Sequence, residues 1–318
     1  MKWFLVALWL AVSPLASAAG SPSPQNWAAW LNRVALAAQQ LNYTGTFVYQ
    51  HGTTVDVSRV AHRADGAEEM GKIDVLSGSP HEYVSINDQV FCYVPDGEHV
   101  KVEQRKHYKF FPALLPVPAM AIAAHYTIKP IGRSTIAGHD CIGVILAPKD
   151  DYRFGYQLWA DATTGLLLKA VPLDANNNPT GQFVFTQIEI GNAPERGYFK
   201  SAYAGKKIVT VGNLPIGDNQ VSWSVKQLPG GFNKVMEANR LLPGKKTPVR
   251  QLVYSDGLAT VSLFIEPYAS VENPMRGLSS QGLVNVYARP LGKYQITVLG
   301  EVPPNTVIQM ADSLKEGN

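Results

Sequence analysis

Seven histidines are the first residues with the chemistry to hold a metal: His51, His62, His81, His99, His107, His125 and His139. They are scattered, with no HExxH and no close Cys/His pairing, so the spacing a zinc or other transition-metal site needs is missing. Gly277-Leu278-Ser279-Ser280-Gln281-Gly282 falls one residue short of a nucleophile elbow, because Gln281 occupies the second glycine position. It also precedes a strand instead of joining a strand to a helix. Gly244-Lys245-Lys246-Thr247 resembles the end of a phosphate loop, but Asn239 stands where the first glycine is required. The acid pairs Glu68-Glu69 and Asp150-Asp151 sit in turn-like stretches where solvated carboxylates are expected. No catalytic set, metal or cofactor is expected, and the chain reads as a binding protein.

What does stand out is aromatic and aliphatic surplus on strand faces. In the first strand, 43–50, Tyr43, Phe47 and Tyr49 share one face and Thr44, Thr46 and Gln50 the other. Phe154, Tyr156 and Leu158 alternate in the same way, as do Phe183 and Phe185. Further strands are expected over 55–63, 72–78, 82–87, 89–94, 99–104, 126–136, 139–148 and 165–174, joined by short turns. Such a run makes an antiparallel meander, which must curl to limit its edges. The resulting concave face is either a filled core or a pocket for acyl chains.

Two other segments complete this half. Ser23-Pro24 opens a helix whose Trp27, Trp30, Leu31, Val34, Ala38 and Leu41 fall on one stripe, and that stripe must be buried on the sheet. Residues 105–125 start basic and become strongly apolar, carrying Phe110, Phe111, Pro112, Pro116 and Pro118. Proline forbids an interior strand, and so apolar an insertion must fold back over or into the concave face. It is either a functional lid or plug, or a passive cover.

At the N-terminus, Lys2 precedes ten apolar residues, Trp3 to Val12, and Ala16-Ser17-Ala18 has the small-x-small form of a cleavage site. Residues 1–18 are therefore expected to be a signal peptide, cut after about Ala18, and the mature protein to be soluble and exported. Of 318 residues, 46% are apolar and 17% charged, which excludes intrinsic disorder, and a net charge of +3 argues against nucleic-acid binding. In an oxidising compartment the two cysteines, Cys92 and Cys141, either pair or remain buried thiols.

Composition changes near 191–197. The chain is expected to divide into a half-barrel over 24–195, a linker over 196–217, and a smaller α+β domain over 218–318. In the second domain, strands are expected over 220–228, 232–242, 249–255, 258–267, 282–291 and 294–302, with a closing helix after Pro303-Pro304. Residues 19–199 carry 14 cations against 17 acids, and residues 200–318 carry 13 against 8. Arg240, Lys245, Lys246 and Arg250 gather around one loop with Lys234 nearby. They form either a solvated loop or a docking patch for an acidic segment or a phosphorylated lipid.

Five blocks resemble the periplasmic sigma-E regulatory family RseB/MucB. They are Leu41-Asn42-Tyr43-Thr44-Gly45-Thr46-Phe47-Val48-Tyr49, Tyr152-Arg153-Phe154-Gly155-Tyr156-Gln157-Leu158-Trp159, Trp223 with Leu228-Pro229-Gly230-Gly231-Phe232, Tyr254-Ser255-Asp256-Gly257-Leu258, and Val298-Leu299-Gly300-Glu301-Val302-Pro303. The resemblance implies a mainly β chain: an unclosed antiparallel barrel similar to LolA and LolB with a packed helix, then a small α+β domain. It also implies a regulator that binds the periplasmic domain of an RseA/MucA-type anti-sigma factor and shields it from site-1 proteolysis, until lipid or lipopolysaccharide relieves the shielding. On that reading Phe47, Tyr49, Phe110, Phe111, Phe154, Tyr156, Leu158, Phe183 and Phe185 are the lipid-binding candidates. Trp223, Lys234, Arg240, Lys245, Arg250 and Tyr254 are the partner-binding candidates. A homodimer is left open. The rival classes are a periplasmic lipid or lipoprotein carrier and an envelope hydrolase.

Overall fold

The computed structural model describes residues 27–317 apart from 67, 88, 106–109, 212, 215–220, 243, 244, 246, 272 and 273. The segment expected to be a signal peptide thus lies outside the described residues. Helix α1 (Trp27–Gln40) is followed by β1 (Tyr43–His51), β2 (Thr54–Ala64), β3 (Glu69–Val75), β4 (His81–Ile86), β5 (Gln89–Asp96) and β6 (His99–Arg105). After the short helix α2 (Met120–His125) come β7 (Tyr126–Ile136), β8 (His139–Pro148), β9 (Tyr156–Asp161), β10 (Leu167–Pro172), β11 (Gly181–Ile190) and β12 (Lys207–Val211).

These twelve strands form one sheet in the order β12-β6-β5-β4-β3-β2-β1-β11-β10-β9-β8-β7. The meander runs outward from β1 to β6 and returns along β7 to β11 so that β11 pairs antiparallel with β1. The sheet does not close, since β12 and β7 remain as edges. Pro130 and an irregular register between Pro130 and Gly132 interrupt β7, the kind of device that keeps an edge from recruiting another strand. Helix α1 lays Trp27, Trp30, Leu31, Val34, Ala35 and Ala38 into the core of this sheet, as its stripe requires.

The residues expected to form a linker are largely fastened to the outer face of the sheet. Phe199, in a 3-10 turn over Arg196–Phe199, is buried against Ala61 and Met70. Lys72 Nζ donates to the Lys200 carbonyl (3.1 Å), and the Ala202 amide donates to the Glu82 carboxylate (3.1 Å). Strand β12 then pairs in parallel with β6, Lys207 opposite His99 and Val211 opposite Glu103. Individual side chain–backbone bonds hold this stretch, so it carries no amphipathic period to read.

The chain continues as β13 (Asn213–Leu214), β14 (Trp223–Val225), β15 (Asn233–Arg240), β16 (Val249–Ser255), β17 (Thr260–Pro267), β18 (Gly277–Gln281), β19 (Val284–Leu291) and β20 (Tyr294–Glu301). Helix α3 (Pro304–Asp312) and β21 (Leu314–Glu316) complete it. Seven of these strands form a second sheet, β13-β15-β16-β17-β20-β19-β18, and β14 pairs with β21. Val307, Met310 and Ala311 of α3 close a second core over Leu252, Leu263, Ile296 and Val298. The near-elbow of 277–282 is the edge strand β18 and its turn; the Ser280 hydroxyl donates to Asn285 Oδ1 (2.5 Å).

Cys92 and Cys141 are buried thiols, not joined in a disulfide. They sit on β5 and β8, with seven strands of the sheet between them.

Candidate functional site

Cross-strand pairing builds the aromatic floor of the first domain. Phe47 lies opposite Phe185 and Tyr49 opposite Phe183. Tyr49 and Phe183 stack at 4.4 Å between ring centroids, and Phe47 meets Phe185 edge-on at 5.9 Å. Phe111, from the proline-rich segment, descends onto them at 5.3 Å from Phe47, 5.0 Å from Phe185 and 5.7 Å from Phe183. Phe110 turns the other way and rests on Tyr83 of β4 at 4.4 Å. Leu115, Ala119 and Ile122 continue the burial. Residues 110–119 therefore fill the middle of the trough, as an apolar stretch that its prolines bar from an interior strand must.

Beside this plug a cavity of about 660 Å³ remains. Phe110, Phe111, Leu115 and Pro116 form one wall, and Tyr43, Val60, Ile73 and Tyr83 line the sheet side. Polar groups gather on the same sheet: His62, Glu69, Ser85 and Gln89. His62 stacks on Tyr43 at 4.9 Å. Its Nδ1 lies 2.7 Å from the Leu41 carbonyl and its Nε2 lies 3.2 Å from Glu69 Oε1. Both ring nitrogens therefore face acceptor oxygens. The volume and mixed lining suit an amphiphile, with apolar and polar ends in one chamber.

Of the nine lipid-binding candidates, Phe110 and Phe111 line this cavity. Phe47, Tyr156, Leu158 and Phe185 are buried in the core, with Phe183 packed against it, and Tyr49 stacks on Phe183. Phe154 is buried but precedes β9, in the turn after β8. Tyr43, Ile73 and Tyr83 were missed as lining, although Ile73 and Tyr83 alternate visibly in 72–75 and 82–86.

A second constellation joins the two sheets. Arg153, in the turn between β8 and β9, has a fully buried side chain. Its guanidinium donates to Asp256 Oδ2 (2.6 Å), the Gly230 carbonyl (2.5 Å) and Asp150 Oδ1 (3.0 Å). It also lies 5.7 Å from the centre of the Tyr126 ring and 5.3 Å from that of Phe232. Asp256 Oδ1 accepts from the amides of Leu258 (2.9 Å) and Ala259 (2.7 Å), which fixes the turn before β17. Thr306 of α3 adds a bond to the Tyr152 carbonyl (2.7 Å). Burial, and the Asp256 charge after it, push the Tyr126 hydroxyl well above its ordinary value.

Residues 26–203 match the MucB/RseB N-terminal domain and residues 217–315 match the MucB/RseB C-terminal domain. The chain belongs to the MucB/RseB family. It is 31% identical to the sigma factor AlgU regulatory protein MucB of Pseudomonas aeruginosa over 294 residues, 90% of each protein. It is 26% identical to the sigma-E factor regulatory protein RseB of Salmonella typhimurium, covering 98% of this chain and 97% of that one. Among solved structures, the P. aeruginosa MucA/MucB complex superposes with a TM-score of 0.71 at 28% identity, covering 92% of this chain and 99% of that one. A crystal structure of MucB gives 0.68 at 25% identity, covering 93% and 100%.

Within this MucB/RseB framework the six partner-binding candidates do not form one exposed patch. Trp223 and Tyr254 are buried in the second core. Lys234 Nζ pairs with Glu237 (2.5 Å), Arg250 with Glu237 (3.1 Å) and Lys245 with Glu266 (2.6 Å). Arg240 reaches across to Glu103 of β6 and also donates to Gln251 (3.1 Å). These cations are satisfied within the chain, and Arg240 fastens one sheet to the other. Residues 243, 244 and 246 of the loop lie outside the described residues. Among the described residues no group of three or more His, Cys, Asp or Glu is placed to hold a metal ion.

Proposed function

We propose that this chain is a non-enzymatic periplasmic regulator of a sigma-E-type envelope-stress response. It binds the periplasmic domain of a membrane-spanning anti-sigma factor and shields it from site-1 proteolysis. A lipid or lipopolysaccharide held in the first domain relieves that shielding. The observation that carries the reading is that both halves of the MucB/RseB architecture are present in order, and that the fold follows MucB solved with MucA(peri) across 91% of the chain. A chamber of about 660 Å³ beside an aromatic plug gives an acyl chain somewhere to go. Partner and lipid then act as linked equilibria, and lipid shifts the partner only by its differential affinity for the two arrangements.

The test is a protection assay with the full chain, the periplasmic segment of the anti-sigma factor and the site-1 protease, with and without lipopolysaccharide. Slower cleavage with the chain, restored by lipopolysaccharide, is expected; cleavage unaffected by the chain sinks the reading. Arg240→Ala and Lys245→Ala are expected to weaken partner binding, and unchanged affinity in both removes any role for these cations. A carrier would instead move cargo between two membranes, which a vesicle-to-vesicle transfer assay detects.

A further inference from the structure

The plug and the seam are not independent. Pro116 lines the cavity, and a Cβ placed on Gly257 would lie 2.9 Å from the Pro116 ring, so this part of the plug rests directly on the 255–259 turn. Gly257 has φ +98°, a conformation that suits glycine. At the other end of the segment, a Cβ on Gly231 would meet the His125 ring at 2.4 Å. Tyr126, the next residue, lies under the Arg153 guanidinium. One stretch of sixteen residues, 110–125, therefore lines the cavity between Phe110 and Val117, meets the 255–259 turn at Pro116 and meets the Gly230–Gly231 turn at its last residue, His125. Leu258, within the 255–259 turn, packs against the first core.

We propose that Phe110–His125 is a strap that couples occupancy of the cavity to the Arg153–Asp256 latch. An amphiphile that takes the space beside Phe110 and Phe111 displaces the strap, and the strap cannot shift without moving Pro116 off Gly257 and His125 off Gly231. The two turns then lose support where Asp256 and the Gly230 carbonyl meet Arg153, and the second domain is released to reorient. Packed cores respond to such displacement in discrete steps, not by smooth deformation. The proposal supplies the physical route for the lipid relief proposed above and rests on that reading for its biological use, but the coupling itself is testable without any lipid.

Amide hydrogen exchange on the full chain reads the latch through Leu258 and Ala259, whose N–H groups are held by Asp256. In Phe111→Ala both amides are expected to exchange about tenfold faster or more than in the wild type, relative to amides of β16. Leu168→Ala opens a hole in the same core from β10, outside residues 110–125, and is expected to leave them within about twofold. Pro116→Ala, a milder change at the strap's contact with Gly257, is expected to act in the same direction and serves if Phe111→Ala fails to fold. Wild-type rates in the strap variants, or equal acceleration by Leu168→Ala, overturn the strap. Myristoyl lysophosphatidylglycerol added below its micelle concentration provides the second arm. By reciprocity it lowers protection at Leu258 and Ala259, and Asp256→Asn binds it more tightly than the wild type. Binding with unchanged protection also overturns the strap. No binding, with the exchange coupling intact, overturns the lipid reading and leaves the strap standing.

Discussion

The Arg153 guanidinium and the Asp256 carboxylate meet at 2.6 Å with essentially no exposure of either side chain. A charge removed from water this completely depends on its partner. Breaking a buried pair from one side costs about 3–5 kcal/mol, whereas replacing both members with apolar groups is often mild. Asp256→Ala is therefore expected to destabilise the chain by about that amount, while Arg153→Met with Asp256→Leu costs less than the single change. Asp256→Asn keeps an oxygen for the Leu258 and Ala259 amides and falls between. Urea denaturation of the three variants measures the order, and a double variant worse than Asp256→Ala contradicts it.

Gly143 of β8 lies opposite Trp159 of β9, and a Cβ there would meet the indole at 2.4 Å. Trp159 thus lies across the one residue in that pair without a side chain. Gly143→Ala is expected to force the ring aside at a cost of about 1–3 kcal/mol. The check is a lowered melting temperature with a changed tryptophan fluorescence spectrum. An unchanged spectrum argues against the ring having moved.

Asp161, at the end of β9, holds the hairpin that follows. Its Oδ1 accepts from the Thr163 amide (3.1 Å) and from the Thr164 amide (2.6 Å) and hydroxyl (2.7 Å), and Oδ2 lies 3.1 Å from His139 Nδ1. Burial pushes this carboxyl up, but the Thr164 and His139 bonds together outweigh it and hold the group below its ordinary value. The folded chain therefore favours the carboxylate. That stabilisation is complete above the unfolded value of about 3.9 and is lost as pH falls through the lower folded value. Asp161→Asn keeps an acceptor for the turn and removes the charge. Its deficit in urea midpoint relative to the wild type is expected to be larger at pH 5 than at pH 3. A constant deficit across that range would assign the effect to the hydrogen bonds alone.

Much of this fold was legible in the residues, and the reasons for the gaps are specific. Strands β7 and β8 occupy the spans expected for them, and in β8 a half-buried pleat writes its period into the chain. Strand β18 reads Gly-Leu-Ser-Ser-Gln and is exposed throughout, so there is no buried face to mark it. Strand β12 pairs with a distant parallel neighbour, β6, and no local turn signals that pairing. The resemblance offers Trp223 and Tyr254 as partner contacts, yet a ring of either type serves equally well inside a core, where both lie. Three of the blocks that carry the family resemblance, 152–159, 228–232 and 254–258, converge on Arg153. Their order and spacing were readable, but the contact among them exists only once two sheets are brought together.

The two thiols give the simplest check on the packing of the first domain. Cys141 is fully buried on β8, and burial, with the nearby Asp161 charge next in importance, pushes its thiol up to about 11. Cys92 is buried on β5. Only a thiolate attacks a disulfide reagent, so a raised value and lack of access both suppress reaction. The native chain at pH 8 is expected to leave Ellman's reagent nearly unreacted, and the chain unfolded in guanidinium without reductant to release two equivalents. A single intramolecular disulfide would give none in either state. Rapid reaction in the native state would mean that β5 or β8 opens to solvent, contrary to the burial of both cysteines.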